Sequence, residues 1–194
     1  MNQATFLRQN PHNGILLTGN DRGVVKLWAP NTGTALASIF CHGSHVNDCG
    51  VTRDGNYLAT VGADSKFNVW DLRTYKQVHS YFCPLPAHRL AVSQKGVLSL
   101  GCRDQVITWR DWMNEKQKAP YLKQETLERR KITDIEYVPY EDSLAVGEID
   151  GFEMMVVPGS GEANVDTFES GLGLSKKAKS NALVRSLIEK VADC

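Results

Sequence analysis

Apolar and polar positions alternate along this chain in short runs, each closed by turn-forming residues, the period-two signature of half-buried strands. The first stretch offers Ile15–Gly19, Val24–Ala29 and Leu36–Cys41, separated by Asn20-Asp21-Arg22-Gly23 and Pro30-Asn31-Thr32-Gly33. The second offers Val46–Thr52, Tyr57–Gly62, Lys66–Asp71 and Gln77–Phe82, with Arg53-Asp54-Gly55-Asn56 as a tight turn. The third reads Arg89–Ser93, Val97–Cys102 and Gln105–Arg110, then a polar insertion at Asp111–Ala119, then a strand near Tyr121–Gln124. The fourth reads Ile132–Val138, Ser143–Glu148 and Phe152–Val157, with no final strand after it. A further strand-like run, Ala4–Arg8, opens the pattern.

These runs repeat. The segment Gly19–Trp28 returns as Gly62–Trp70, again as Gly101–Trp109, and loosely as Gly147–Val157, where valine replaces tryptophan. The tryptophans Trp28, Trp70 and Trp109 recur at roughly 40-residue intervals, the period of a four-stranded propeller blade. The expected fold is therefore all-β: a β-propeller fragment of about three and a half blades over residues 1–157. An extended docking segment is expected over 158–174. A basic amphipathic helix is expected over 175–194, where Leu183, Val184, Leu187, Ile188 and Val191 form one stripe and Lys179, Ser186 and Lys190 face away. Seven blades usually close such a ring, so the sequence is expected to be the C-terminal part of a longer protein. Completion by another chain and pairing of two copies are the alternatives.

Composition narrows the classes. With 194 residues and 42% hydrophobic content the chain can bury a core. Lysine plus arginine equals aspartate plus glutamate at 22 each, so nucleic-acid contact must come from local patches. No run of about 18 apolar residues occurs, and the first residues do not read basic-then-apolar, so no membrane role is expected. Five cysteines (Cys41, Cys49, Cys83, Cys102, Cys194) without a C-x-x-C pair suit a reducing compartment and core packing more than metal binding.

The second repeat resembles a WD repeat, with Trp70-Asp71 as the name-giving dipeptide, and the match runs over roughly residues 4–157. In that family a histidine, a hydroxyl residue, an aspartate and a tryptophan form one buried hydrogen-bonded chain. The resemblance implies that His42, Thr60, Asp64 and Trp70 play those parts here. A Ser-His-Asp hydrolase reading of the same residues fails, because the G-x-S-x-G elbow is absent from this blade.

More specific runs are Arg8-Gln9-Asn10-Pro11-His12-Asn13, Glu125–Ile135 leading into Val138-Pro139-Tyr140-Glu141-Asp142, and Val157-Pro158-Gly159-Ser160-Gly161-Glu162-Ala163-Asn164. Together they resemble the C-terminal half of the U3 small nucleolar RNA-associated protein 7 family, nucleolar WD-repeat proteins of the small-subunit processome. The sequence departs from the family's pattern at Val165, usually aromatic, at Glu148, commonly histidine, and at Gly171-Leu172-Gly173-Leu174. These departures bear on how the tail docks. The resemblance implies a non-catalytic scaffold in 18S ribosomal RNA maturation, in the nucleus and nucleolus, without a cofactor, membrane or small-molecule substrate. Its implied partners are processome proteins, U3 small nucleolar RNA and the 18S precursor. The alternative is a protein-interaction adaptor, such as a ubiquitin-ligase substrate receptor or a trafficking coat, with no RNA role.

Candidate contacts fall in three groups. Lys116, Lys118, Lys123, Arg129, Arg130 and Lys131 set six cations against three carboxylates over 115–131 and could meet phosphates; the bland alternative is a solvated loop. Gly159, Ser160, Gly161 and Glu162 lack the Lys-Ser/Thr of a P-loop, so a docking element is expected rather than a nucleotide cradle. Lys176, Lys177 and Lys179 form a short basic run, which a solvated helix face would equally explain. Trp112 is expected to cover an open blade edge or a partner surface, and one of Met154 and Met155 to face the core.

Overall fold

The computed structural model describes residues 3–162 and, beyond them, only the single positions 177, 180, 181 and 184. Residues 1–162 form one compact unit and 163–194 another. The helix expected over 175–194, most of the docking segment, and the candidates Lys176 and Lys179 lie outside the described residues.

The first unit consists of four antiparallel meanders. Blade 1 is β1 (Ala4–Gln9), β2 (Leu16–Asn20), β3 (Val24–Trp28) and β4 (Ala37–Phe40). Blade 2 is β5 (Val46–Val51), β6 (Tyr57–Gly62), β7 (Lys66–Asp71) and β8 (Lys76–Phe82). Blade 3 is β9 (Arg89–Val92), β10 (Leu98–Cys102), β11 (Gln105–Trp109) and β12 (Leu122–Glu125). Blade 4 has three strands among the described residues, β13 (Ile132–Tyr137), β14 (Ser143–Glu148) and β15 (Phe152–Val156). This is a WD-type β-propeller arrangement. The first strands β1, β5, β9 and β13 touch in succession and form the inner wall.

Three cores lie between successive blades. Leu17, Val25, Leu27 and Ile39 of blade 1 pack on Val46, Cys49, Leu58 and Trp70 of blade 2. Ala59, Val61, Phe67, Val69 and Tyr81 of blade 2 pack on Leu98, Leu100, Ile107 and Trp109 of blade 3, with Phe67 and Tyr81 stacked at 4.3 Å between ring centres. Val97 and Val106 of blade 3 pack on Ile132, Ile135, Leu144, Val146 and Met155 of blade 4. Met155 is buried and Met154 exposed, as strand alternation predicts.

The polar insertion corrects the expectation for Trp112. Its side chain is fully buried between blades 2 and 3, and its indole Nε1–H donates to the Gly96 carbonyl at 2.7 Å. Tyr81 holds the same segment: its hydroxyl donates to the carbonyls of Trp112 and Glu115 and accepts from the Gln117 amide. A large aromatic in a polar run thus anchors the insertion inward instead of waiting for a partner.

Meander topology sorts the loops onto two faces. Connections between a blade's first and second strands, and between its third and fourth, share one face. Second-to-third turns and the connectors between blades share the other, here the connector face.

Candidate interaction surfaces

His42 sits in the connector ahead of β5, fully buried between the Asp64 turn and strand β6. Its Nδ1 lies 3.0 Å from Asp64 Oδ1, and its Nε2 lies 3.0 Å from Thr60 Oγ1. Trp70 Nε1–H donates to the same Thr60 oxygen at 3.2 Å. One tautomer satisfies all four groups: Nδ1–H donates to Asp64, Nε2 accepts the Thr60 hydroxyl, and Thr60 accepts from Trp70. Burial pushes the His42 pKa below its ordinary value, with Asp64 partly opposing. A buried chain of this kind fixes geometry only when every member is bonded. Gly23 lets the blade 1 turn close over it, because a Cβ there would lie 1.8 Å from the His42 carbonyl oxygen.

The neighbouring blades carry reduced versions. In blade 1, Trp28 Nε1–H donates to Thr18 Oγ1 at 2.9 Å. In blade 3, Leu100 stands where Thr60 stands in blade 2, and the buried Trp109 Nε1–H has no acceptor among the described residues. Blade 3 is instead tied to blade 4 by Ser99 Oγ, 2.9 Å from Thr108 Oγ1 and 2.6 Å from the Tyr137 hydroxyl.

A further bridge is not visible in the sequence pattern. Asp48, buried on the inner strand β5, accepts two hydrogen bonds from Arg8 of β1, at 3.0 and 2.8 Å, and one from the Leu90 amide of β9 at 3.1 Å. One carboxylate therefore links three blades, and it raises the Arg8 guanidinium pKa above its ordinary value. Its only sequence trace is a charged residue in an apolar strand register.

The run after β15 is held against the propeller. The Gly161 amide donates to Asp142 Oδ1 at 2.7 Å, and with the Gly159 and Ser160 amides it keeps that carboxyl below its ordinary range. Ser160 is buried and its hydroxyl donates to the Val157 carbonyl at 2.8 Å. A Cβ on Gly161 would stand 2.4 Å from the Glu141 carbonyl carbon, so only glycine permits this approach. Glu162 then pairs with Arg53 of the blade 2 turn at 2.9 Å. The amides of the glycine run are turned toward Asp142, not toward an open phosphate site.

The six cations of 115–131 do not form one patch. Lys116 and Lys118 lie in the insertion on one face, Lys123 lies on β12, and Arg129, Arg130 and Lys131 lie in the connector on the other. Lys116 stands over the Tyr81 ring at 6.0 Å. Arg129 pairs with Glu125 at 3.4 Å and Arg130 with Glu128, while Lys131 is exposed. Lys177 is exposed as well. The four described cysteines are buried thiols; burial raises Cys41 and Cys102 to about 12 and Cys83 to about 11.

Comparison with known proteins agrees with this geometry. Residues 33–71 match the WD domain, G-beta repeat, and residues 120–193 match the BING4CT (NUC141) domain. The β-propeller domain of Cps50 (Swd1) from Myceliophteria thermophila superposes with a TM-score of 0.67 at 14% identity, covering 80% of this chain and 54% of that one, a likeness of fold. WD repeat-containing protein 46 of Caenorhabditis elegans is 37% identical over 94% of this chain and 31% of its own length. The human protein of that name is 37% identical over 95% and 31%. U3 small nucleolar RNA-associated protein 7 of Saccharomyces cerevisiae is 32% identical over 95% and 36%. The chain belongs to this family of WD-repeat proteins. It spans about a third of the length of these relatives. The BING4CT match joins β12, blade 4 and the Asp142-held run in one block of sequence. A WD-repeat propeller is characteristic of non-catalytic scaffolds. No helix among the described residues is long and apolar enough to cross a membrane.

Proposed function

We propose that this chain is part of a nucleolar scaffold of the small-subunit processome, acting in 18S ribosomal RNA precursor processing and small-subunit assembly. Its homology, across nearly the whole chain, to a protein named for association with U3 small nucleolar RNA carries the reading. The blades support it physically: a surface prefixed by buried hydrogen-bond chains loses little conformational entropy when a partner binds. On this reading the two faces serve separate contacts. The Gly159–Glu162 run and the insertion face one set of processome proteins, and the Arg129–Lys131 connector faces RNA or its acidic neighbours. The basic run Lys176, Lys177 and Lys179 would add to the anionic contacts. The proposed location is the nucleus, in the nucleolus.

Ultraviolet cross-linking of the intact endogenous protein, followed by sequencing of recovered RNA, tests the reading. Enrichment of U3 small nucleolar RNA or 18S precursor is expected. Recovery of RNA at background level from efficiently captured protein would remove the RNA contact and leave a protein-only scaffold.

A further inference from the structure

The connector face holds a set of basic side chains that no motif announces. His45, His88 and Lys131 recur at 43-residue intervals, and each directly precedes an inner strand, β5, β9 and β13. They therefore occupy the same place on three successive blades, at the connector-face end of the inner strands. Two clefts open there. One, of about 380 Å³, is lined by residues including Thr5, Asp21, His45, Asn47, His88 and Arg89. The other, of about 350 Å³, is lined by His88, Arg89, Lys131, Ile132, Thr133 and Ile149. His88 and Arg89 border both, so the clefts share a wall and make one basic rim.

The chemistry of the rim is anionic in its demand. Burial, then the charges of Lys131, Arg89 and His45, keep His88 below its ordinary pKa. It has no carboxylate partner comparable to the Asp64 of His42. The acids nearby are Asp21, on the cleft edge, and Asp134, which stands 3.5 Å from Arg89. The neighbouring hydroxyls are already committed: Thr5 donates to the Val46 carbonyl and Thr133 to the Gly147 carbonyl. The Asn47 amide donates to the Ala87 carbonyl. Recognition is thus left to the charges of Arg89 and Lys131, with the imidazole N–H groups of His45 and His88 as further donors.

We propose that the rim formed by His45, His88, Arg89 and Lys131 binds consecutive phosphates of single-stranded RNA. The choice of RNA rests on the function proposed above. No phenylalanine, tyrosine or tryptophan lines the clefts to stack a base, so only the backbone phosphates are engaged. Binding is therefore salt-dependent and indifferent to sequence.

The test uses the intact protein and fluorescein-labelled dodecauridylate, with anisotropy measured from 50 to 300 mM salt. The double substitution His88→Gln with Lys131→Gln should weaken binding about tenfold at 100 mM salt and reduce the slope of log affinity against log salt by about 0.7, for the one cation removed. Lys116→Gln with Lys118→Gln, on the opposite face, should leave it unchanged. Lys131→Gln alone, at an exposed side chain, keeps the test valid if the double variant folds poorly. Equal loss from both pairs, or no loss from either, overturns the proposal. Displacement of the RNA by polyglutamate at lower concentration than by unlabelled RNA would reassign the rim to an acidic protein. Background recovery in the cross-linking experiment with rim-dependent binding retained would remove the processome RNA contact and leave this site standing.

Discussion

Two tryptophans at equivalent positions, Trp70 and Trp109, are both nearly buried, at 8% and 7% exposure, yet only the first has an acceptor for its indole N–H. Replacing each by phenylalanine separates packing from hydrogen bonding. Trp70→Phe should cost about 1 kcal/mol more than Trp109→Phe in urea unfolding, because it alone removes a satisfied bond while the other removes an unpaired donor. Equal costs would mean that the Thr60 chain adds nothing beyond packing. His42 gives the chain a pH signature. Its folded pKa lies below the ordinary 6.5, so below pH 6.5 the unfolded chain binds a proton that the folded one refuses. Stability should therefore be fully present above pH 6.5 and decline as pH falls toward the folded value. His88 shifts in the same direction and adds to this loss. The melting temperature of His42→Gln should fall less between pH 7.5 and 5.5 than that of wild type, and an unchanged slope would rule out this origin.

At the scale of elements, strands of the two end blades are easier to read than those of the inner blades. In β3 and β14, each with one neighbouring blade among the described residues, burial alternates along most of the strand. In β6 and β10, covered on both sides by neighbouring blades, it does not, and Leu58–Gly62 and Leu98–Cys102 are buried throughout. Turn residues still place their ends, and all fifteen expected strands overlap observed ones. The blade 2 tetrad was legible because its residue types and spacing recur in WD repeats. Trp112 and the Asp48 bridge were not, since burial of one aromatic or one carboxylate depends on contacts far apart in sequence. Gly161 belongs to this scale as well. Gly161→Ala would force a Cβ into the Glu141 backbone, lift the run off Asp142, and release the exposed Arg53–Glu162 pair, itself worth at most about 1 kcal/mol. Hydrogen exchange of the residue 161 amide should quicken at least about tenfold; protection equal to wild type would show that the run adapts.

Across the whole molecule, the two loop faces divide the chemistry. Reversing charge at Arg129, Arg130 and Lys131 should reduce co-sedimentation with precursor particles while leaving circular dichroism and melting unchanged. Among the described residues these side chains join no core, and two of them pair with neighbouring surface glutamates. Undiminished co-sedimentation would move the contact away from this connector. The bridge through Asp48 has a different consequence. In a simple repeat array each unit answers only to its immediate neighbours, so units can be gained or lost singly during evolution. Here a blade 2 carboxylate is completed by a guanidinium from the blade before and an amide from the blade after. Removing blade 1 would strand the Asp48 charge at the centre and removing blade 3 would take away one of its donors, so the three blades are coupled as a single block.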